Sequence, residues 1–164
     1  MYVEIYLAVN LDTMGLFDKL FSSSAPVTWE PANSLEAWAC CLYALGSLDG
    51  NLSDVEIDQM TRSLVETRPF SGLDIASMIS PMLVELNSAG WADLCIKAAS
   101  RVDVQHAETA FCMACEMAMR DGETTEQEQN ALERLAHAMG LEEARAKRIV
   151  DTYIARYKFQ MRVY

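Results

Sequence analysis

Apolar residues recur along this chain at helical rather than alternating spacing, and that period assigns the fold class. From residue 34 onward Leu35, Trp38, Ala39, Leu42 and Leu45 mark one helix over residues 34–48. Val55, Met60 and Leu64 mark a second over 53–67. A less regular stretch, 73–87, contains Pro81, which is expected to split or kink the helix there because proline lacks the amide that bonds four residues back. Gly90 separates it from a helix over 91–100, and three regular helices follow over 103–120, 125–139 and 142–157. The expectation is an all-α, single compact domain of about seven to eight helices, residues 34–164, behind an N-terminal extension of residues 1–33.

The extension carries two signals. Val3, Ile5, Leu7 and Val9 alternate with polar neighbours, a weak strand pattern with no evident partner later in the chain. Leu16, Phe17, Leu20 and Phe21 then share one side of a short amphipathic helix, followed by the loosening run Ser22-Ser23-Ser24-Ala25-Pro26. Folding of this helix onto the domain is the simplest expectation, ahead of a membrane-surface or partner helix. Met14 also reads as a natural start, which would place residues 1–13 upstream of it. The sixth position from Met14 is Lys19, not the Ser or Thr of a myristoylation signal.

Two stretches are near copies. In "SLDGNLSDVE" (47–56) and "MRDGETTEQE" (119–128), alignment on Asp-Gly matches Asp49 with Asp121, Ser53 with Thr125, Asp54 with Glu126 and Glu56 with Glu128. Each copy joins two helices, giving two similar helix-loop-helix pairs around a divergent middle. Ser53 and Thr125 suit helix N-caps, and the Glu three residues on completes a capping box. Gly50, Gly122 and Gly140 suit left-handed helix ends. Asp49 and Asp121 do not fit this scheme, because each falls where the preceding helix ends and its partial charge is already negative. A hard cation such as Ca²⁺, Mg²⁺ or Mn²⁺, held by Asp49, Glu56, Asp121 and Glu128, is one reason for them; side chains folding back on loop amides is another. Asp54, Glu123 and Glu126 would add acidity. The loops are not EF-hands: counted from Asp49, the sixth position is Asp54 instead of Gly and the twelfth is Met60 instead of Glu.

These duplicated Asp-Gly helix ends, each followed by [ST]-[DE]-x-E and an apolar helix, with "LERLAHAMGL" after the second, resemble the TerB family of tellurite-resistance-associated proteins. The likeness runs from about residue 34 to 157. It implies an all-helical cytoplasmic domain with an acidic surface proposed to hold metal ions, acting in a stress-response assembly with membrane partners. Carried over by position, the acidic pattern falls on Asp49 and Glu56, then on Asp121 and Glu128. The chain departs from the family pattern at Ser47-Leu48 and Met119-Arg120, and Arg120 sets a cation beside Asp121.

Charge supports binding of cations or of a basic protein face. Thirteen Lys and Arg against 24 Asp and Glu leave a formal net charge of -11, which excludes a phosphate-backbone partner. No transmembrane segment is expected. The five cysteines lack a disulfide framework, consistent with a reduced cytoplasmic compartment. Cys112 and Cys115 have C-x-x-C spacing but fall in mid-helix, so these and Cys40-Cys41 are expected to be small buried thiols that let helices approach closely. His106 and His137 have no second His or Cys at helical spacing, and Met113, Met117, Met119 and Met139 read as core fillers. No catalytic triad, phosphate loop or dinucleotide fingerprint occurs. The expectation is a non-enzymatic, stress-associated module that binds divalent cations weakly through its acidic loops and docks onto protein partners. The alternative is a helical interaction domain whose loops only cap helices.

Overall fold

The computed structural model describes residues 28–48, 52–89, 91–119 and 125–157. The expected strand, the helix from Met14, the Met14 start, Gly50 and Gly122 lie outside the described residues, as do Asp49, Asp121 and Glu123. Among the described residues there are seven α-helices and no strand: α1 Ser34–Gly46, α2 Asp54–Val65, α3 Ile75–Ala89, α4 Trp91–Ala99, α5 Val104–Ala118, α6 Glu126–Ala138 and α7 Glu143–Tyr157, with a 3-10 turn at Arg68–Phe70.

Helix α1 is the axle. Nine consecutive residues, Ala37 to Leu45, are buried, so this helix is apolar all round instead of along one stripe. It packs most extensively on α4, then on α5, and also touches α2, α3 and α6. Small residues make the α1–α4 approach close: the Cys41 thiol reaches the Cys95 carbonyl at 3.8 Å, and Ala98 and Ala99 are fully buried beside it. Trp38 fills the space on another side, meeting Phe70 edge to face at 5.1 Å between ring centroids. Burial of side chains of this size stabilises by roughly 1.5–3 kcal/mol each.

The outer helices are one-sided. Met60 and Leu64 of α2 enter the core, whereas Val55, expected to join them, is 66% exposed because it sits in the first turn on the solvent side. Helix α7 is fastened to α5 at both ends. Arg145 forks onto Glu108, and near the C-terminus Glu116 accepts from the Tyr157 hydroxyl at 3.2 Å and pairs with Arg156 at 3.6 Å.

Pro81 does not split α3, which runs unbroken from Ile75 to Ala89. The proline is exposed, so water can supply the donor that the Ser77 carbonyl loses. Helix α6 ends in a Schellman arrangement: Gly140, at φ +71°, donates to the His137 carbonyl and Leu141 to the Ala136 carbonyl, both at 3.0 Å.

Candidate functional site

The two helix-loop-helix junctions are built alike. Helices α1 and α5 end at Gly46 and Ala118, equivalent positions in the two copies, and Ser47 (φ -94°, ψ 10°) matches Met119 (φ -110°, ψ 6°). Both helices stop two residues earlier than the periodicity predicts. At Ser47 the cause is local, since its hydroxyl bonds the Ala44 carbonyl at 2.8 Å and so closes the helix end.

Each loop delivers its chain to a complete capping box. Glu56 Oε2 accepts from the Ser53 amide at 2.8 Å and hydroxyl at 2.6 Å, and the Glu56 amide donates to Ser53 Oγ at 3.3 Å. Glu128 Oε2 accepts from the Thr125 amide at 2.7 Å and hydroxyl at 2.9 Å, with the Glu128 amide donating to Thr125 Oγ1 at 3.2 Å. The Ser53 hydroxyl and amide hold the Glu56 carboxyl below its ordinary range. Asp54 and Glu126 sit beside these boxes in the first turns, where they complement the positive end of the helix.

The two junctions meet. Gln127, in the first turn of α6, donates from Nε2 to the Leu48 carbonyl at 3.1 Å, tying the start of the second capped helix to the residue that precedes Asp49. Sequence periodicity carries no sign of this contact, which joins distant parts of the chain. Of the residues expected to form a site, Glu56 and Asp54 lie in the first turn of α2, and Glu128 and Glu126 in the first turn of α6. Among the described residues no group of three or more His, Cys, Asp or Glu side chains is arranged to hold a metal ion. One oxygen of Glu56 and one of Glu128 already serve the caps, so these two carboxylates alone do not make a cation cage.

A second feature lies at the other end of α1. Asn33 caps that helix, accepting from the Leu35 and Glu36 amides at 2.9 and 3.0 Å. Ser34 Oγ accepts from the Asp103 amide at 2.9 Å and lies 2.9 Å from His106 Nδ1. His106 in turn lies over Trp38, 5.7 Å between centroids. An open concavity of about 420 Å³ is bordered here by Leu35, Leu73, Met78 and His106, with Glu36, Asp74 and Asp103 giving it an acidic rim. His106 is thus a structural bridge between α1 and α5, while His137 is exposed in the last turn of α6.

The cysteines are all free. Cys40, Cys41, Cys95 and Cys115 are buried, and burial pushes the Cys115 thiol up to about 12 and raises Cys112 as well. A raised thiol is a poor nucleophile, which weighs against redox duty for the C-x-x-C pair. Met119 and Met139 are buried and Met113 and Met117 pack against the same core.

A buried central helix, α1, and two helix pairs, α1–α2 and α5–α6, whose second helices each begin in a capping box, define an all-helical domain. The family model described as "Tellurite resistance protein TerB" matches residues 35–151, and the chain belongs to that family. The match begins one residue into α1 and ends within α7, so it takes in both helix pairs and the middle that joins them. No curated protein matches the chain, and no solved structure matches it.

Proposed function

We propose that this chain is a non-enzymatic, stress-associated binding module that holds a divalent cation weakly where its two acidic Asp-Gly loops adjoin, and docks there onto protein partners, some of them in a membrane-associated complex. The observation that supports the proposal is the Gln127–Leu48 hydrogen bond, which ties the first turn of α6 to the residue before Asp49. A single loop offers too few oxygens for a hard cation, whereas two adjoining loops double the number of carboxylates and carbonyls within reach. In this reading Asp49 and Asp121 supply the charge, Glu56 and Glu128 each contribute the oxygen that the cap leaves, and Asp54, Glu123 and Glu126 raise the local negative potential. The formal net charge of -11 favours a cation or a basic partner face over any anionic ligand. The cytoplasm, with its reduced thiols, is the compartment that suits the five free cysteines. Among the described residues no helix is long and apolar enough to cross a membrane, so a membrane complex would be met through a partner.

The capping boxes favour a second reading, an interaction domain that binds no metal and uses its acidic loops only to begin helices. Calorimetric titration with Ca²⁺, Mg²⁺ and Mn²⁺ separates the two. Heat that saturates in the unmodified chain and disappears in Asp49→Asn/Asp121→Asn supports the cation site. No heat in either protein leaves the capping reading, and equal heat in both places any cation away from these loops.

A further inference from the structure

Helix α3 presents an outward face unlike any other surface helix of this acidic protein. Its fifteen residues include one charged side chain, Glu85. Over residues 75–86 the exposed positions are Ala76, Ser77, Ser80, Pro81 and Val84, and Val84 is 71% exposed. By contrast the exposed side of α2 carries Asp54, Glu56, Asp58 and Arg62 beside the exposed Val55 and Val65. Two serines of α3 turn their hydroxyls to the chain itself: Ser77 Oγ donates to Asp74 at 2.7 Å and Ser80 Oγ to the Ala76 carbonyl at 2.6 Å. What remains outward is hydrocarbon, together with a proline ring that projects no donor. A face with this composition, on a chain so rich in charge, is suited to being covered.

The chain itself supplies a cover at the right place. Glu85 accepts from the Thr28 amide and hydroxyl, the latter at 3.1 Å, and Trp29 packs against the core, so Thr28 itself lies alongside the C-terminal half of α3, at the residue next to Val84. We propose that the amphipathic segment Leu16, Phe17, Leu20 and Phe21 lies on the outward face of α3 and covers Ser77, Pro81 and Val84. Reach permits it. The six residues between Phe21 and Thr28 span up to roughly 20 Å when extended. The distance from Glu85 back to Ile75 is about 15 Å at the helical rise. The pattern fits as well, since Asp18 and Lys19 fall on the opposite side of a helical turn from the four apolar residues. The contact is independent of the cation reading, because α3 contributes no residue to the adjoining loops.

Cysteine cross-linking in the full chain tests this. In a Cys112→Ser background, the pair Phe21→Cys/Val84→Cys is compared with Phe21→Cys/Val104→Cys, in which the second position is 91% exposed on another helix. Mild oxidation is followed on non-reducing gels, with circular dichroism establishing that each variant keeps the native helix content. The expected result is an intrachain disulfide at Val84→Cys forming at least tenfold faster than at Val104→Cys, with that advantage lost on adding Phe17→Ser/Leu20→Ser. Equal rates at the two positions would overturn the proposal. So would cross-links confined to dimers, which would assign the face to a second copy of the chain.

Discussion

Gln127 donates to the Leu48 carbonyl at 3.1 Å, so the first turn of α6 is bonded to the exit of α1. The bond couples two junctions that are each internally complete. Gln127→Ala should therefore lower stability by only about 0.5–1 kcal/mol, the net worth of an exposed hydrogen bond, in urea denaturation. If the two Asp-Gly loops share a cation, the same substitution should weaken its affinity more than it weakens the fold. A loss of stability with unchanged cation affinity would confine Gln127 to a structural role.

The caps should behave as a matched pair. Ser53→Ala and Thr125→Ala each remove the oxygen that accepts the third helical amide, at a cost of about 1 kcal/mol apiece. Denaturant midpoints measure this directly, and a negligible change in either would show that the box there is dispensable.

Glu56 gives the first box a pH dependence. Its carboxyl is held below the ordinary value of 4.5 in the folded chain, so the folded state binds fewer protons there than the unfolded state as acid is added. The contribution is full above that ordinary value and is lost as pH falls through the depressed one. Glu56→Gln keeps the box geometry but not the charge, so its stability deficit at pH 6, a few tenths of a kcal/mol at this exposed position, should close towards pH 3. A deficit that stays constant across the range would show that charge is not what the box uses.

The Trp38–Phe70 contact anchors the central helix to the 3-10 turn. Phe70 is fully buried, and Phe70→Ala should cost about 3–5 kcal/mol through lost burial and the cavity it leaves. That is a large part of the stability of a domain this size, so the thermal transition should fall well below that of the unmodified chain. Gly140→Ala should cost about 1 kcal/mol without any clash, since no atom lies within 4 Å of the added Cβ and only the positive φ resists it.

The thiols should be slow. Titration of the native chain with a disulfide reagent near neutral pH should modify Cys112 alone, and slowly, because burial raises its pKa and the other four are buried more deeply. All five should react after denaturation, and Cys112→Ser should abolish the native reaction. Rapid modification of two thiols in the native state would restore the C-x-x-C pair as a redox candidate.

The helices, their order and both capping boxes could be read from the sequence because each depends on residues within four of one another. A Ser or Thr with Glu three residues later needs no tertiary partner to begin a helix, and Gly140 announces its own left-handed end. The same locality made the TerB likeness legible, since the duplicated caps are the motif. Other features were decided by packing. The all-round burial of α1 follows from its being surrounded by five other helices, which no periodicity within thirteen residues encodes, and Val55 is exposed because α2 meets α1 along Met60 and Leu64. Helix α3 passes through Pro81 because that position faces water, and Ser34, Asp103 and His106 meet only when α5 folds against the start of α1. The Gln127–Leu48 hydrogen bond is of the same kind: each acidic stretch is written in the sequence, and folding alone brings the first turn of α6 to the exit of α1.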